Sequence, residues 1–278
     1  MNTANTLASG ADPGNEAPQI TVPQAIANLK QTEDKSDRYY AAWWLGRFRI
    51  KDPEAIAALL EALSDESDRD TNGGFPLRRN AARALGKLDD TSVVPALIEC
   101  LRCSDYYVRE AAAQSLDSLG AKESVSHLVA LLDGGVAAAV GVPGQPHLVQ
   151  PYNAILEALG SLGDDSHVSV IEPFLSHETP QVKNGAARAL YQLTGKGLYA
   201  DRLVATLQCD DLQLRRSTLL DLGEVGYLPA AAAIASTLAE NSIKLISLKG
   251  LLEKEIHTSN NPVSDNTCKV MALMDSLL

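Results

Sequence analysis

An eight-residue pattern of hydrophobic positions recurs along this chain. Six segments align without gaps: AAWWLGRF (41–48), AARALGKL (81–88), AAQSLDSL (112–119), ILEALGSL (155–162), AARALYQL (186–193) and TLLDLGEV (218–225). The fifth position is leucine and the eighth is apolar in every copy. Apolar residues at steps of three and four are typical of an amphipathic helix. Each segment is therefore predicted to be a helix with one buried face.

The spacing of these segments predicts a repeat architecture. The fifth-position leucines follow one another after 40, 31, 43, 31 and 32 residues. A unit of about 31 residues holds two helices of three turns. A second amphipathic helix is predicted in each unit, at 53–63, 92–101, 124–132, 167–175, 199–207 and 228–238. Because one unit cannot bury its apolar face alone, we predict an all-α fold, a right-handed α-α superhelix (solenoid) of about six to seven HEAT-like or armadillo-like repeats.

The chain divides into three regions by composition. Residues 1–20 are polar and are predicted to be a disordered tail. Residues 21–256 are predicted to form the solenoid, with 243–256 as a last, partial repeat that caps it. Residues 257–278 are predicted to be a linker and a short amphipathic segment, which is a candidate for partner docking.

Two insertions interrupt the repeat period. They are SDESDRDTNGGFPL (64–77) and DGGVAAAVGVPGQPHLVQP (133–151), and both fall between a second helix and the next first helix. We expect them to lie close together on one edge of the solenoid, because they flank adjacent repeats. Loops of this length in a repeat protein are often functional.

Aromatic, arginine and histidine side chains cluster next to these insertions. The clustering is informative because aromatic residues make up only 5% of the chain. Arginine binds carboxylates through two parallel hydrogen bonds, and aromatic rings stack on conjugated systems. We therefore predict a site for a flat, apolar molecule that carries carboxylates. The candidate residues are Trp43, Arg78, Arg79, Asp105, Tyr106, Tyr107, Arg109, His147 and Tyr152.

Composition and missing motifs exclude several functions. The net charge of −11 argues against nucleic-acid binding, which needs a basic surface. The apolar runs are too short to span a bilayer and the N-terminus lacks a signal-peptide pattern, so a cytoplasmic location with reduced thiols is expected. No metal site is predicted, because Cys100 and Cys103 form an isolated pair and zinc needs four ligands.

Several stretches resemble the E-type subunits of the heterodimeric phycocyanobilin lyases of cyanobacteria. They include YYAAWWLGRFRIKDPEAI, GGFPLRRNAARALGKL, CSDYYVREAAAQSL and PGQPHLVQPYNAILEALG, and the resemblance covers roughly 38–256. Helical repeats alone would be weak evidence, because many unrelated scaffolds use them. The two insertions and their flanks make this resemblance specific.

The resemblance implies a reaction and partners. In that family a cysteine thiol of the phycocyanin α subunit adds to the ethylidene group of the bilin and forms a thioether. The nucleophile belongs to the acceptor, so the lyase needs no catalytic cysteine. Phycocyanobilin is then a substrate, and no permanently bound cofactor is expected. An F-type subunit is the expected partner, and the expected location is the cyanobacterial cytoplasm, close to phycobilisome assembly.

The resemblance also suggests roles for the candidate residues. The propionates of the bilin would be bound by Arg78, Arg79 and Arg109. The walls around the chromophore would be formed by Trp43, Tyr106, Tyr107 and Tyr152. A proton would be exchanged by His147 or Asp105. For the arginines, pairing with aspartates of neighbouring repeats is an equally open interpretation.

Two other functions remain open at this stage. A phycoerythrocyanin lyase-isomerase subunit has a similar sequence pattern and would yield a violobilin product. A non-catalytic bilin chaperone or phycobilisome assembly scaffold would bind the pigment without turnover.

Overall fold

The structure, a computed structural model, describes residues 20–258 and 264–278. The predicted disordered tail lies outside the described residues, apart from Ile20. In the described part the chain forms sixteen α-helices. They are α1 (Val22–Lys30), α2 (Lys35–Arg47), α3 (Pro53–Ala62), α4 (Pro76–Leu85), α5 (Val94–Cys100), α6 (Tyr106–Ser118), α7 (Val125–Ala130), α8 (Gly135–Ala138), α9 (Tyr152–Leu162), α10 (Val168–Ile171), α11 (Pro180–Thr194), α12 (Gly197–Thr206), α13 (Leu212–Val225), α14 (Ala231–Ser236), α15 (Asn241–Thr258) and α16 (Asp265–Asp275).

These helices form two rows, and this arrangement confirms the predicted solenoid. The first row contains α2, α4, α6, α9, α11, α13 and α15, which pack against one another in sequence. The second row contains α3, α5, α7, α10, α12, α14 and α16. The fifth-position leucines of the repeat are all fully buried between the rows. The hydrophobic pattern therefore places the core where it was predicted.

The second row is less regular than the first. Short 3₁₀ turns precede α5, α7, α10 and α14. Helix α10 has only four residues and continues as a 3₁₀ segment, Glu172–Ser176. Pro173 lies in that segment and has no N–H to donate to an α-helical hydrogen bond. Helices α1 and α8 have no counterpart in the predicted repeat.

Glycines allow the first-row helices to approach one another closely. A Cβ atom on Gly46 would lie 2.7 Å from the Cα of Ala84, and one on Gly160 would lie 2.6 Å from the Cα of Ala189. Successive second-row helices make few such close backbone approaches. The first row is therefore the shorter, concave side of the solenoid, and its polar residues face the concavity.

One seam in the first row is wider than the others. Gly46, Gly86, Gly160 and Gly223 occupy the same position of the repeat, directly after the fifth-position leucine, but α6 has Asp117 there and α11 has the much larger Tyr191. Helix α13 approaches α11 less closely than any other pair of neighbours in the row. The ring of Tyr191 fills part of the space and lies edge-on to Tyr227, with 5.3 Å between centroids.

The C-terminal segment contains α16, which packs on α14 and α15. Val270 and Thr267 on α16 are buried. In this position α16 occupies the second-row place opposite α15. None of the helices in residues 20–258 and 264–278 has the length and apolar content needed to cross a bilayer.

Candidate functional site

The two insertions lie side by side, as predicted, and enclose a groove of about 520 Å³. The first insertion contributes Asp70 and its neighbours to the wall, and the second contributes residues from Val142 to Val149. The floor is the start of α6, from Asp105 to Arg109. One edge of the solenoid therefore carries a cleft that ordinary repeats would not form.

Buried polar contacts fix the first insertion. Arg38 is only 5% exposed and pairs with Asp65, whose Oδ2 lies 2.5 Å from its Nη2. Asp68 is also buried, and it accepts a hydrogen bond from the hydroxyl of Tyr39 while its other oxygen lies 3.0 Å from Nζ of Lys35. The insertion is thus tied to α2 at several points.

Asp105 joins the first insertion to α6. Its Oδ1 accepts a hydrogen bond from the N–H of Tyr107 at 2.8 Å, which caps the helix. Its Oδ2 accepts one from the N–H of Phe75 at 2.6 Å. Both carboxylate oxygens of Asp105 therefore already accept a hydrogen bond from a backbone N–H group. The proposed proton exchange by Asp105 stays a prediction.

Arg109 holds the second insertion in place. Its Nη2 donates to the carbonyl of Val149 at 2.8 Å, and its Nε donates to the side-chain oxygen of Gln150 at 2.9 Å. Its Nη1 donates to the carbonyl of Cys103 at 2.6 Å. Burial lowers the pKa of this guanidinium. Most of its hydrogen-bonding capacity is committed to the loop, which leaves little for a substrate carboxylate.

An aromatic wall lies at the groove. The ring of Tyr106 stacks on the imidazole of His147, with centroids 4.2 Å apart, and Tyr107 stands edge-on to both. Nδ1 of His147 lies 2.8 Å from the carbonyl oxygen of Leu148, so Nδ1 carries a proton and Nε2 remains available. Burial, with help from nearby Glu110, raises the pKa of Tyr106 to about 12.

Arg79 stands beside this wall without a hydrogen-bond partner for its Nε. The guanidinium carbon lies 5.5 Å from the centre of the Tyr107 ring, within the range of a cation–π contact. Its Nε is buried and makes no hydrogen bond among the described residues. An unsatisfied guanidinium beside aromatic rings is suited to bind a carboxylate.

Glu110 is a site residue that the sequence analysis missed. Burial raises the pKa of this carboxyl, while Arg83, Arg79 and His147 act in the opposite direction. Its Oε2 lies 3.6 Å from Nη2 of Arg83. The signal was present in the repeat, because Glu110 and Arg79 occupy the same repeat position, six residues before the fifth-position leucine.

Trp43 lies on the concave side, apart from the groove. It is 48% exposed, and its ring lies 5.6 Å from that of Tyr40. Trp43 and Arg83 hold the same repeat position, two residues before the fifth-position leucine. The tryptophan is therefore placed to contact a long ligand or a partner that extends from the groove along the concave side.

Arg78 and Tyr152 are not brought to the groove. Arg78 packs over the ring of Phe75 at 4.0 Å and donates from Nε to the carbonyl of Asp65 at 2.6 Å. It faces a different cavity, of about 400 Å³, which Cys100 and Cys103 also line. Tyr152 is only 2% exposed and packs against Phe174 in the core. Both side chains therefore make their contacts within the fold, outside the groove in which they were predicted to lie.

Comparison with known proteins identifies the family. A model of PBS lyase HEAT-like repeats matches residues 37–65, and a model of HEAT repeats matches residues 75–140. The phycocyanobilin lyase subunit alpha of Nostoc sp. strain PCC 7120 is 57% identical over 268 residues, which cover 96% of this chain and 97% of that protein. This chain belongs to the phycocyanobilin lyase α-subunit family.

Two further relatives agree with this assignment. The phycocyanobilin lyase subunit alpha of Microchaete diplosiphon is 58% identical over 266 residues, which cover 94% of this chain and 90% of that protein. The structure of the complex of CpcE and CpcF of phycocyanin lyase from Nostoc sp. PCC7120 contains a chain that is 56% identical. It matches with a TM-score of 0.87 over 98% of this chain and 100% of that one. The family resemblance expected from the sequence is confirmed.

Proposed function

We infer that this chain is one subunit of a lyase that attaches phycocyanobilin through a thioether to a cysteine of the phycocyanin α subunit. The observation that carries the site assignment is the groove between the insertions. Its lining includes the stacked rings of Tyr106 and His147, and Arg79, whose Nε has no partner among the described residues, lies behind Tyr107 with its guanidinium carbon 5.5 Å from the ring centre. A conjugated molecule with carboxylates is complementary to this combination.

The side chains at the groove would bind and orient the bilin. Of the three candidate arginines, Arg79 is the one whose Nε has no partner among the described residues, so its guanidinium would bind a propionate. Tyr107 and Tyr106 offer aromatic faces to the pyrrole rings. Such fixation lowers the barrier, because the reacting atoms are held in one geometry before the acceptor thiol arrives.

The reaction adds an S–H bond across a C=C bond and needs no oxidant or reductant. The thiol sulfur forms a bond to the ethylidene carbon, the C=C π bond breaks, and its electrons take up a proton on ring A. The thiol proton is released, so atoms and charge balance. His147 has an available Nε2 and would hold or move the proton next to the bound pigment.

The partners follow from the family. An F-type subunit would complete the enzyme, since a relative at 56% identity was solved as a complex of CpcE and CpcF. Apo-phycocyanin α would be the acceptor and phycocyanobilin the substrate, with no permanently bound cofactor. We place the reaction in the cytoplasm, where thiols stay reduced.

Reconstitution tests this function. The purified chain is mixed with phycocyanobilin and apo-phycocyanin α, with and without the F-type subunit, and acid-stable attachment is followed over time. A lyase gives rapid formation of the thioether only when both subunits are present. Pigment binding without partner-dependent acceleration would show a carrier instead, and a violobilin product would show an isomerase.

A further inference from the structure

Arg83 lies one turn after Arg79 on α4, on the concave side of the solenoid. The two residues are four positions apart in sequence, so their Cβ atoms lie about 6 Å from each other on one face of the helix. The side chain of Arg83 is 45% exposed, and its ion-pair partner is Glu110, with 3.6 Å between Nη2 and Oε2. This distance is longer than a hydrogen bond, so the guanidinium of Arg83 is accessible to a ligand.

Helix α4 is positively charged in an acidic chain. The net charge of the chain is −11, yet α4 contains three arginines and neither aspartate nor glutamate. Arg78 supports the first insertion, and Arg79 and Arg83 remain on the concave side. Glu110 is a single carboxyl beside this pair, and burial raises its pKa, so the pair keeps a positive charge. The concave side of α4 is therefore suited to attract an anion that the rest of the chain would repel.

Exposed aromatic rings lie next to Arg83 on α2. Trp43 holds the same repeat position as Arg83, and the two helices are in close contact, because a Cβ atom on Gly46 would lie 2.7 Å from the Cα of Ala84. Trp43 is 48% exposed and Tyr40 is 49% exposed, with 5.6 Å between their ring centroids. About half of each side chain is thus in contact with solvent, so core packing does not account for this pair.

The position of Arg79 determines how a ligand of the groove would continue. Tyr106 and Tyr107 line the groove, and Arg79 lies behind Tyr107 at 5.5 Å from the ring centre. A ligand that occupies the groove and also binds Arg79 must therefore extend past Tyr107 onto α4. The next basic side chain on that face of α4 is Arg83, and the aromatic pair on α2 follows it.

We propose that Arg79 and Arg83 bind the two propionates of the pigment, one each, and that Trp43 and Tyr40 contact the outer ring farthest from the groove. The propionates of phycocyanobilin are attached to its two middle rings, which share one methine bridge. Their carboxylates can therefore reach two guanidiniums that are one helical turn apart. The other outer ring then lies at Tyr106 in the groove. This inference rests on the proposed function, because that function supplies the pigment.

The test compares two forms of the pigment. Phycocyanobilin and its dimethyl ester share one conjugated system, but the ester lacks both negative charges. The complex of this chain with the F-type subunit is titrated with each form, and absorbance gives the Kd. We expect Arg83→Met to raise the Kd for the free acid about tenfold or more, because a charge-assisted hydrogen bond is lost. Its Kd for the dimethyl ester should stay within about twofold of the wild type, since the ester offers no carboxylate to Arg83.

Two further variants separate carboxylate binding from other effects. Trp43→Ala should raise the Kd for both forms by the same factor, because stacking does not involve the propionates. Arg102→Met is the matched control. Arg102 lies in the turn after α5, is 65% exposed and pairs with one glutamate, Glu99, so its Kd for both forms should match the wild type. Urea denaturation should show little change for Arg83→Met, because an exposed ion pair contributes little to stability.

The outcomes distinguish this inference from the proposed function. Equal Kd values of wild type and Arg83→Met for the free acid would overturn the inference, while pigment attachment by the wild type would leave the lyase function intact. An equal loss of affinity for the free acid and the ester would also overturn it, because Arg83 would not act on a carboxylate. So would weaker assembly of Arg83→Met with the F-type subunit at unchanged pigment affinity, since the occupant would then be an acidic segment of that protein. A wild-type complex that neither binds nor attaches the pigment would refute the proposed function and the inference with it.

Discussion

The ring of Tyr106 lies parallel to the imidazole of His147, with 13° between their planes and 4.2 Å between their centroids. Tyr106 begins α6, and His147 belongs to the second insertion. This stack therefore attaches a glycine- and proline-rich loop to a rigid helix. It also leaves Nε2 of the histidine available, because Nδ1 is occupied by the carbonyl of Leu148.

Substitutions at His147 should separate stacking from proton exchange. His147→Phe keeps an aromatic ring against Tyr106 but has no nitrogen, so pigment affinity should stay within about threefold while the attachment rate falls about 100-fold. His147→Ala should lose affinity as well. Absorbance titration and single-turnover attachment measure the two quantities, with His257→Ala, at an exposed position, as control. Equal rates for wild type and His147→Phe would exclude the histidine from proton exchange.

Arg79 and Arg109 should respond in opposite ways to the same substitution. Arg79→Met removes a guanidinium whose Nε has no partner, so pigment affinity should fall about tenfold or more with little change in stability. Arg109→Met leaves the carbonyls of Cys103 and Val149 without their donor, so the free energy of unfolding should fall by about 3 kcal/mol.

Chemical denaturation and pigment titration of both arginine variants test this contrast. Arg47→Met is a suitable control, because Arg47 is an exposed residue in the last turn of α2. If Arg79→Met were destabilised as strongly as Arg109→Met while its pigment affinity held, Arg79 would have a structural role.

The close contact at Gly46 predicts a packing defect. The Cβ atom that Gly46→Ala adds would lie 2.7 Å from the Cα of Ala84, so α2 and α4 must move apart. We expect the free energy of unfolding to fall by about 1–3 kcal/mol. Gly141→Ala is the matched control, since nothing lies within 4 Å of that Cβ. Urea denaturation compares the two. If the Gly46→Ala and Gly141→Ala variants were equally stable, the close packing of α2 on α4 would not limit the stability of the chain.

The solenoid could be predicted because the repeat dictates it. A leucine at each fifth position must be buried, and Leu45, Leu116 and Leu222 are all fully buried. The position of the insertions in the repeat also placed the groove on one edge. Helices α1 and α16 were harder to predict, because neither follows the eight-residue pattern and each is defined by packing on its neighbours.

Individual site residues were less predictable than the site. Arg78 and Arg79 are adjacent in sequence, yet one supports the loop and the other stands beside Tyr107 with its Nε unpaired. Residue type does not tell them apart, because neighbours on a helix point about 100° apart and only the fold decides which carbonyls each arginine meets. The sequence analysis did not single out Glu157 as a residue with an unusual environment, for the same reason. Its unusual environment comes from Arg188 and from the seam beyond it.

Glu157 should make stability depend on pH. Burial raises the pKa of its carboxyl from 4.5 to about 7 in the folded chain. Between these values the folded state binds more protons than the unfolded state, so the free energy of unfolding decreases as pH rises through this window. By pH 8 the ionised carboxyl costs on the order of 3 kcal/mol.

Glu157→Gln removes this titration and retains an oxygen near Asn153. The variant should therefore match the wild type near pH 4.5 and exceed it by about 2–3 kcal/mol at pH 8. Asp117 and Asp221 are present in both proteins, so the difference reports Glu157 together with its coupling to Asp221. Urea denaturation at several pH values measures it, with Glu123→Gln, at an exposed position in the turn before α7, as control. Parallel pH profiles for wild type and Glu157→Gln would contradict a raised pKa.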